Sequence, residues 1–300
     1  MKLTIFTPSY NRPQKLPGLF NSIKRAVKQM PQGNTAEWLI IDDGSDEDIS
    51  LLIQKIHPVD HLTIRCIRQN NSGKHAAFNR AIEMCDGDLF VCIDDDDRLS
   101  QNAVQDIFFL ADKFLKDAVY QNCSGFAGRV IDRSGKKKGK NFKSYPVVSN
   151  TIEIRDMHHF WGEPEIYFVN RLKEYRFPVF AQEKFLTEAY VFDELTAKHP
   201  LIYTDCVMMI KTFLKGGLTD QQLKIRIESP RGTEDYYYRR SRLCKEKRYR
   251  LKSVINRQRF SYWIKDMRPQ RAFDQYEILA RPVSLCMYFK DFLQYNLQNH

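Results

Sequence analysis

The chain has 300 residues, of which 43 % are hydrophobic and 28 % charged. That is enough apolar material for a substantial core, which excludes a globally disordered chain and suits one large domain or a core domain with a tail. The net charge is +10, but from Ser229 onward 16 Lys/Arg face 7 Asp/Glu, so nearly all of the excess lies in the last quarter. Such a tail calls for an anionic partner, a membrane surface or nucleic acid. The start, MKLTIFTPSYNRP, lacks the shape of a signal peptide, and no apolar run approaches the roughly 18 residues of a spanning helix. The expected location is therefore cytoplasmic, soluble or resting on a membrane without crossing it. Seven cysteines without a CxxC pair read as reduced and mostly buried.

In chain order, strand-like apolar runs are expected at Leu3–Thr7, Trp38–Ile41, Leu62–Ile67 and Leu89–Ile93. Helical stretches are expected at Lys15–Lys28, Ile49–Ile56, Lys74–Cys85 and Asn102–Leu115. This alternation predicts a Rossmann-like α/β domain on a mainly parallel sheet, with its ligand crevice at the carboxyl ends of the strands. Beyond it, Gly125–Ile131 reads as a strand and Asp132–Lys143 as a mobile basic loop. Glu183–Thr196 and Tyr203–Leu214 have helical spacing, and Tyr236–Met267 mixes Arg and Lys with aromatics at helical spacing. The expected division is 1–228, split into 1–115 and 116–228, followed by a basic aromatic tail 229–300.

The four inter-element loops hold the polar residues. They read Thr7-Pro8-Ser9-Tyr10-Asn11-Arg12, Asp42-Asp43-Gly44-Ser45, Asn70-Asn71-Ser72-Gly73-Lys74 and Asp94-Asp95-Asp96-Asp97. Adjacent carboxylates repel one another. A hard divalent cation, Mn²⁺ or Mg²⁺, removes that repulsion using one or two carboxylates plus substrate phosphates. Alternation along the chain puts Asp94 and Asp96 on one face. The competing reading is a solvated acidic turn that caps the next helix through Asp97, and for Asp42 and Asp43 an ordinary helix cap with Ser45.

The ordered motifs TPSYNR, IIDDGSxD, NxSGKxxAxNxAI and GDLFVCIDDDD resemble the family-2 glycosyltransferases of the GT-A fold, densely over residues 1–115. The resemblance implies a metal-dependent, inverting transfer of a hexose from a UDP-sugar. It implies that Thr7, Pro8, Tyr10 and Arg12 line the donor site and that Asp43 or Asp42 accepts from the uracil. Gly73 and Lys74 would approach the base or diphosphate. Asp94 and Asp95 would contact ribose or metal, and Asp96 would be the principal metal ligand beside Asp94.

Inverting transfer needs a base for the acceptor hydroxyl, and the family's usual Glu-Asp pair is absent from its expected place. Aligning the helix after Glu183-Lys184-Phe185-Leu186-Thr187-Glu188 puts Glu188 at the base position, with Glu183 as the alternative. His158, His159 and Trp161 are candidates for an acceptor wall, Trp161 by stacking on a sugar face. Together with the basic tail, the resemblance points to enzymes of O-antigen, lipopolysaccharide or capsule biosynthesis. Their acceptors are sugars on undecaprenyl diphosphate, and the tail would then sit peripherally on anionic lipid at the inner face of the cell membrane. A nucleotidyltransferase is the nearest enzymatic rival, but its Gly-rich first loop is missing. A nucleic-acid-binding protein is the rival from another class, through Arg239, Arg240, Arg242, Lys245, Lys247, Arg248, Arg250 and Lys252. The favoured reading takes no nucleic acid and leaves the oligomeric state open.

Overall fold

The computed structural model describes residues 1–56, 59–211, 221–265 and 276–298. Its first strands and helices fall where the apolar periodicities put them. They are β1 (Lys2–Ser9), α1 (Leu16–Val27), β2 (Thr35–Asp42), α2 (Ile49–Gln54), β3 (Leu62–Arg68), α3 (Lys74–Met84) and β4 (Leu89–Cys92). A two-residue strand β5 (Arg98–Leu99) and α4 (Ala103–Lys116) follow. Then come β6 (Gly125–Asp132), β7 (Val147–Ser149), a short helical turn α5 (Thr151–Glu153), β8 (Gly162–Phe168), α6 (Val169–Leu172), α7 (Ala189–Lys198) and β9 (Leu201–Lys211).

The sheet runs β3-β2-β1-β4-β8-β6-β9-β5, with β7 also on β9. β3, β2, β1 and β4 are mutually parallel, while β8 runs antiparallel to both its neighbours. The chain winds outward from β1 to β3 and returns to place β4 on the other side of β1. The switch point, where α/β sheets open a crevice, therefore lies between the ends of β1 and β4. Under it sits a dry core. Trp38 is fully buried and stacks on Phe20 at 5.7 Å, and Phe6 packs edge-on against Phe78 at 4.9 Å.

One expected helix changes. Tyr203–Leu214 is a strand and not a helix as far as Lys211, its last three residues lying outside the described ones. Its run LIYTDCVMMIK is rich in β-branched and aromatic residues, and pairing with β6, β5 and β7 overrides the local helical spacing. The basic stretch after β6 is a loop, and it is held by its own hydrogen bonds. Asp132 accepts from the Ser134 and Lys136 amides and from Lys138 Nζ, which hold its carboxyl well below the usual range, the Ser134 hydroxyl bond being the largest cause. From below, the fully buried Arg129 donates to Lys140 O and Asn141 Oδ1 and lies 4.3 Å from the Phe160 ring centroid.

The chain forms two compact units, Met1–Arg176 with Leu195–Phe213, and Phe177–Glu194 with Leu214–His300. The division is thus not at residue 228, because the segment 177–194 goes with the tail. Among the described residues that unit adds α8 (Gln222–Ile227), α9 (Pro230–Leu243), α10 (Lys247–Ser261) and α11 (Glu277–Gln298). The expected helical stretch Tyr236–Met267 is thus two helices with a break at Cys244, and its residues 266 and 267 lie outside the described ones. Tail aromatics make a core of their own. Phe260 is buried and stacks on Tyr237 at 6.0 Å, and Trp263 meets Tyr288 at 5.3 Å. No described helix is long and apolar enough to cross a membrane.

Candidate active site

The four loops are stitched together by the residues that sequence reading singled out. Asn11, in the left-handed region at φ 53°, donates its amide to Ser45 Oγ, while its side chain and Asp46 bond reciprocally at 3.0 and 2.8 Å. Gly44 has φ 82°, and a Cβ there would lie 2.8 Å from the Asn71 amide, so the second and third loops touch backbone to backbone. Asp43 is the clasp between them: it accepts from Gln69 Nε2, Ser72 N and Gly73 N at 2.8–2.9 Å. Asp42 Oδ1 accepts from the Ser45 amide, and its buried Oδ2 has no hydrogen bond, with Arg68 3.7 Å away. Neither aspartate caps α2, which Asp48 does by accepting from the Ser50 amide.

The Thr7 side chain is fully buried: it accepts from Trp38 Nε1 at 3.0 Å and donates to Ile93 O at 2.9 Å, tying β1 to β2 and to the residue after β4. Pro8 is partly covered, and Tyr10 is 45 % exposed beside the first loop.

The aspartate run is a turn, closed by Asp97 N donating to Asp94 O at 3.0 Å. The expected alternation survives in exposure: Asp95 and Asp97 are buried, Asp94 and Asp96 are partly open. Each carboxylate meets a cation. Arg12 reaches Asp95 at 3.0 Å and makes a short contact with Asp96, and Lys74 bonds Asp94 at 2.5 Å. Lys211, at the end of β9, stands 3.8 Å from Asp97 and is tightly paired with Glu163. Asp97 caps no helix, the residue before α4 being Asn102. Arg98 donates to the carbonyls of Asp95 and Asp97 and so fixes the turn's backbone.

Burial pushes Asp95 up to about 6 and Asp97 up to about 8, with Asp94 and Asp96 adding to the rise, while Arg12 and Lys211 respectively oppose it. Asp94 is also raised by burial, yet the charge and hydrogen bond of Lys74 outweigh that and hold it low. Burial alone would lower Lys211, but Glu163 and Asp97 hold it well above an ordinary lysine. The turn is thus an anionic patch neutralised by three side chains. No group of three His, Cys, Asp or Glu is arranged as a ready metal cage among the described residues. Two partly open carboxylates that await phosphate oxygens are what a Mg²⁺ or Mn²⁺ site of the substrate-completed type requires. Asp94 and Asp96 fit it.

In the second unit, Glu183 is buried and accepts from Arg231 N and Gly232 N, both at 2.8 Å, at the start of α9. It satisfies two of the amides that a helix N-terminus leaves without partners. Burial raises its carboxyl, against the pull of those two amides. Glu188 is half-buried, and its carbonyl accepts from Val191 and Phe192 as α7 begins. Sequence reading missed Lys211 and Glu163 in the first unit. A lysine at the end of a strand otherwise read as a helix gave no signal, whereas Glu163 beside Trp161 did.

The parallel sheet, its switch point and the cation-covered aspartate turn define a nucleotide-sugar-binding fold of the GT-A type. The chain belongs to glycosyl transferase family 2, whose model it matches over residues 4–175. It is 30 % identical over 160 residues to chondroitin synthase of Escherichia coli, covering 53 % of this chain and 22 % of that protein. It is 29 % identical over 96 residues to undecaprenyl-phosphate 4-deoxy-4-formamido-L-arabinose transferase of Proteus mirabilis, covering 32 % and 29 %. The chain therefore spans less than a third of either curated relative. Among solved structures it shares its fold with S. aureus TarS 1–349, at TM-score 0.60 and 14 % identity, covering 88 % of this chain and 73 % of that one. A mannosyltransferase from Pyrobaculum calidifontis, solved with GDP-Man and Mn²⁺, gives TM-score 0.52 at 15 % identity, covering 99 % and 84 %.

Proposed function

We propose that this chain transfers a hexose from a UDP-sugar to a sugar acceptor, with inversion and with a divalent metal. The observation that carries this is the Asp94–Asp97 turn at the β1/β4 switch point, covered by Arg12 and Lys74 in a family-2 chain. Asp94 and Asp96 would hold the Mg²⁺ or Mn²⁺. Bound there, the cation neutralises the charge that develops on the leaving diphosphate. Arg12 and Lys74, which pair with these carboxylates, would supply cations for the phosphates, and the loops tied by Asp43 would hold the nucleoside. Asp43 or Asp42 is proposed to accept from a base N–H, since Asp43 accepts three of the about four hydrogen bonds a carboxylate can take. Glu188 is proposed to take the proton from the acceptor hydroxyl. TarS has been solved with UDP-GlcNAc and with UDP, which supports a uridine donor. A panel of UDP- and GDP-sugars with Mn²⁺ present is expected to show hydrolysis or transfer from a UDP-sugar. Turnover only of GDP-sugars would overturn the uridine reading, and turnover of none the transfer reading.

The acceptor we propose is a sugar on undecaprenyl diphosphate in surface-polysaccharide synthesis, with the tail on anionic lipid. A specific feature supports the lipid contact. On α11, Leu279, Val283, Cys286, Phe289, Leu293 and Leu297 recur at helical spacing and are exposed. Arg242, Lys245, Lys247, Arg248 and Lys252 are exposed on the same unit, whereas Arg239 and Arg259 are spent on Asp235 and Asp291. Phe289→Ser with Leu293→Ser should release the protein from anionic vesicles while its thermal unfolding is unchanged. Cutting the chain at Ser229 should instead unfold the segment 177–194, because Glu183 loses its partners on α9. A truncated protein with an unaltered proteolysis pattern in that segment would refute this.

A further inference from the structure

A cavity of about 390 Å³ lies in the first unit, lined by Trp161, Glu163, Glu165, Tyr203, Arg155 and His159 among others. Its volume falls in the range of small-molecule sites, about 300–1,000 Å³. Two carboxylates here are not explained by core packing. β8 lies between β4 and β6 in the interior of the sheet, where side chains are ordinarily apolar. The pairing of β8 with β6 slips between Ala127 and Arg129, so that β8 carries an extra residue opposite them, at Glu163–Pro164. A bulge of that kind re-aims side chains and is frequent beside binding sites.

The rim is fixed just as firmly. The turn after β6 crosses it, with Lys140 N donating to His159 O at 2.9 Å and Gly139 at φ 72°. A Cβ on Gly139 would come within 2.6 Å of the Trp161 amide. The turn can hold this position only with glycine there, and Arg129 clamps it from below.

We propose that this cavity is the subsite for the acceptor's terminal pyranose, an inference that rests on the transfer reading above. A pyranose has an apolar face that stacks on an indole and an equatorial rim of hydroxyls that donate to carboxylates. Trp161 supplies the first, Glu163 and Glu165 the second. A carboxylate can accept about four hydrogen bonds, so both can serve vicinal hydroxyls while Glu163 holds Lys211 and Glu165 accepts from Tyr167 Oη at 2.6 Å. The same Lys211 stands 3.8 Å from Asp97. One lysine thus links a residue of the cavity wall to the aspartate turn.

The test is saturation-transfer NMR of the full chain with p-nitrophenyl gluco-, galacto-, manno- and N-acetylglucosaminyl pyranosides, alongside UDP binding by calorimetry. At least one pyranoside should bind the wild type. Trp161→Ala and Glu165→Gln should weaken it at least tenfold, and Trp161→Phe less, all three binding UDP normally. Should Trp161→Ala fail to fold, Glu165→Gln and Trp161→Phe carry the comparison, since Gln keeps the shape of Glu and Phe keeps an aromatic ring against the cavity. Binding of no pyranoside, equal binding by all variants, or loss of UDP affinity in place of pyranoside affinity overturns the subsite. Absence of UDP binding in the wild type itself would sink the transfer reading and leave a pyranose site standing.

Discussion

Asp96→Ala should lower transfer by about 10²–10⁴-fold, the kinetic equivalent of losing several kcal/mol of metal-borne charge stabilisation. The same substitution should abolish the rise in melting temperature that UDP with Mn²⁺ gives the wild type, since that rise measures the affinity of the bound pair. A purely structural role predicts a different pattern. Asp96 makes a short contact with Arg12, but Arg12 also reaches Asp95 at 3.0 Å, so the guanidinium keeps a partner. Removing one carboxylate from a crowded run also relieves repulsion. The melting temperature without ligands should therefore change little. Asp96→Asn, which keeps the shape and discards the charge, should behave like the alanine variant. Full transfer by either, or by the wild type in excess chelator, would rule out Asp96 as the principal ligand.

The first hundred residues were legible because each element there is locally self-consistent. Their strands are near-continuous apolar runs, their helices have one apolar stripe, and their loops carry polar residues that a core would reject. Even so, sequence could not separate residues that build the site from residues that build its floor. Thr7 and Asp43 stand in the same kinds of motif as Arg12 and Asp96, yet one is sealed under Trp38 and the other already accepts from three donors. Burial and partner count are tertiary properties. The second half was harder for a related reason. β9 has a helix-compatible pattern and becomes a strand only because β6, β5 and β7 offer it edges. Lys211 gains meaning only from that pairing, which brings it to Glu163 and Asp97. Within the tail, Phe260 packs on Tyr237 and Trp263 on Tyr288. The exposed apolar stripe sits on α11, where aliphatic residues outnumber aromatic ones.

The two glutamates are expected to separate into a structural and a chemical role when each is replaced by glutamine. In Glu183→Gln one of the two acceptor oxygens becomes an amide NH₂ that faces a backbone N–H, either of Arg231 or of Gly232. A buried donor without a partner costs about 1–3 kcal/mol, and the favourable charge at the N-terminus of α9 is lost as well. The melting temperature should fall by several degrees. Glu188 is half-buried, at the entry to α7, and its carbonyl accepts from Val191 and Phe192. Glu188→Gln keeps the shape of the side chain and should bind UDP with the wild-type affinity. If Glu188 is the base, its transfer rate falls by about 10²–10⁴-fold, the usual contribution of a positioned proton acceptor. Because the lost interaction forms only as the hydroxyl attacks, the loss belongs in kcat and not in the donor KM. The decisive comparison is kcat against melting temperature for the two variants. A rate loss in Glu183→Gln without a loss of stability, together with an active Glu188→Gln, would exchange their roles and make the pinned carboxylate the one that moves the proton.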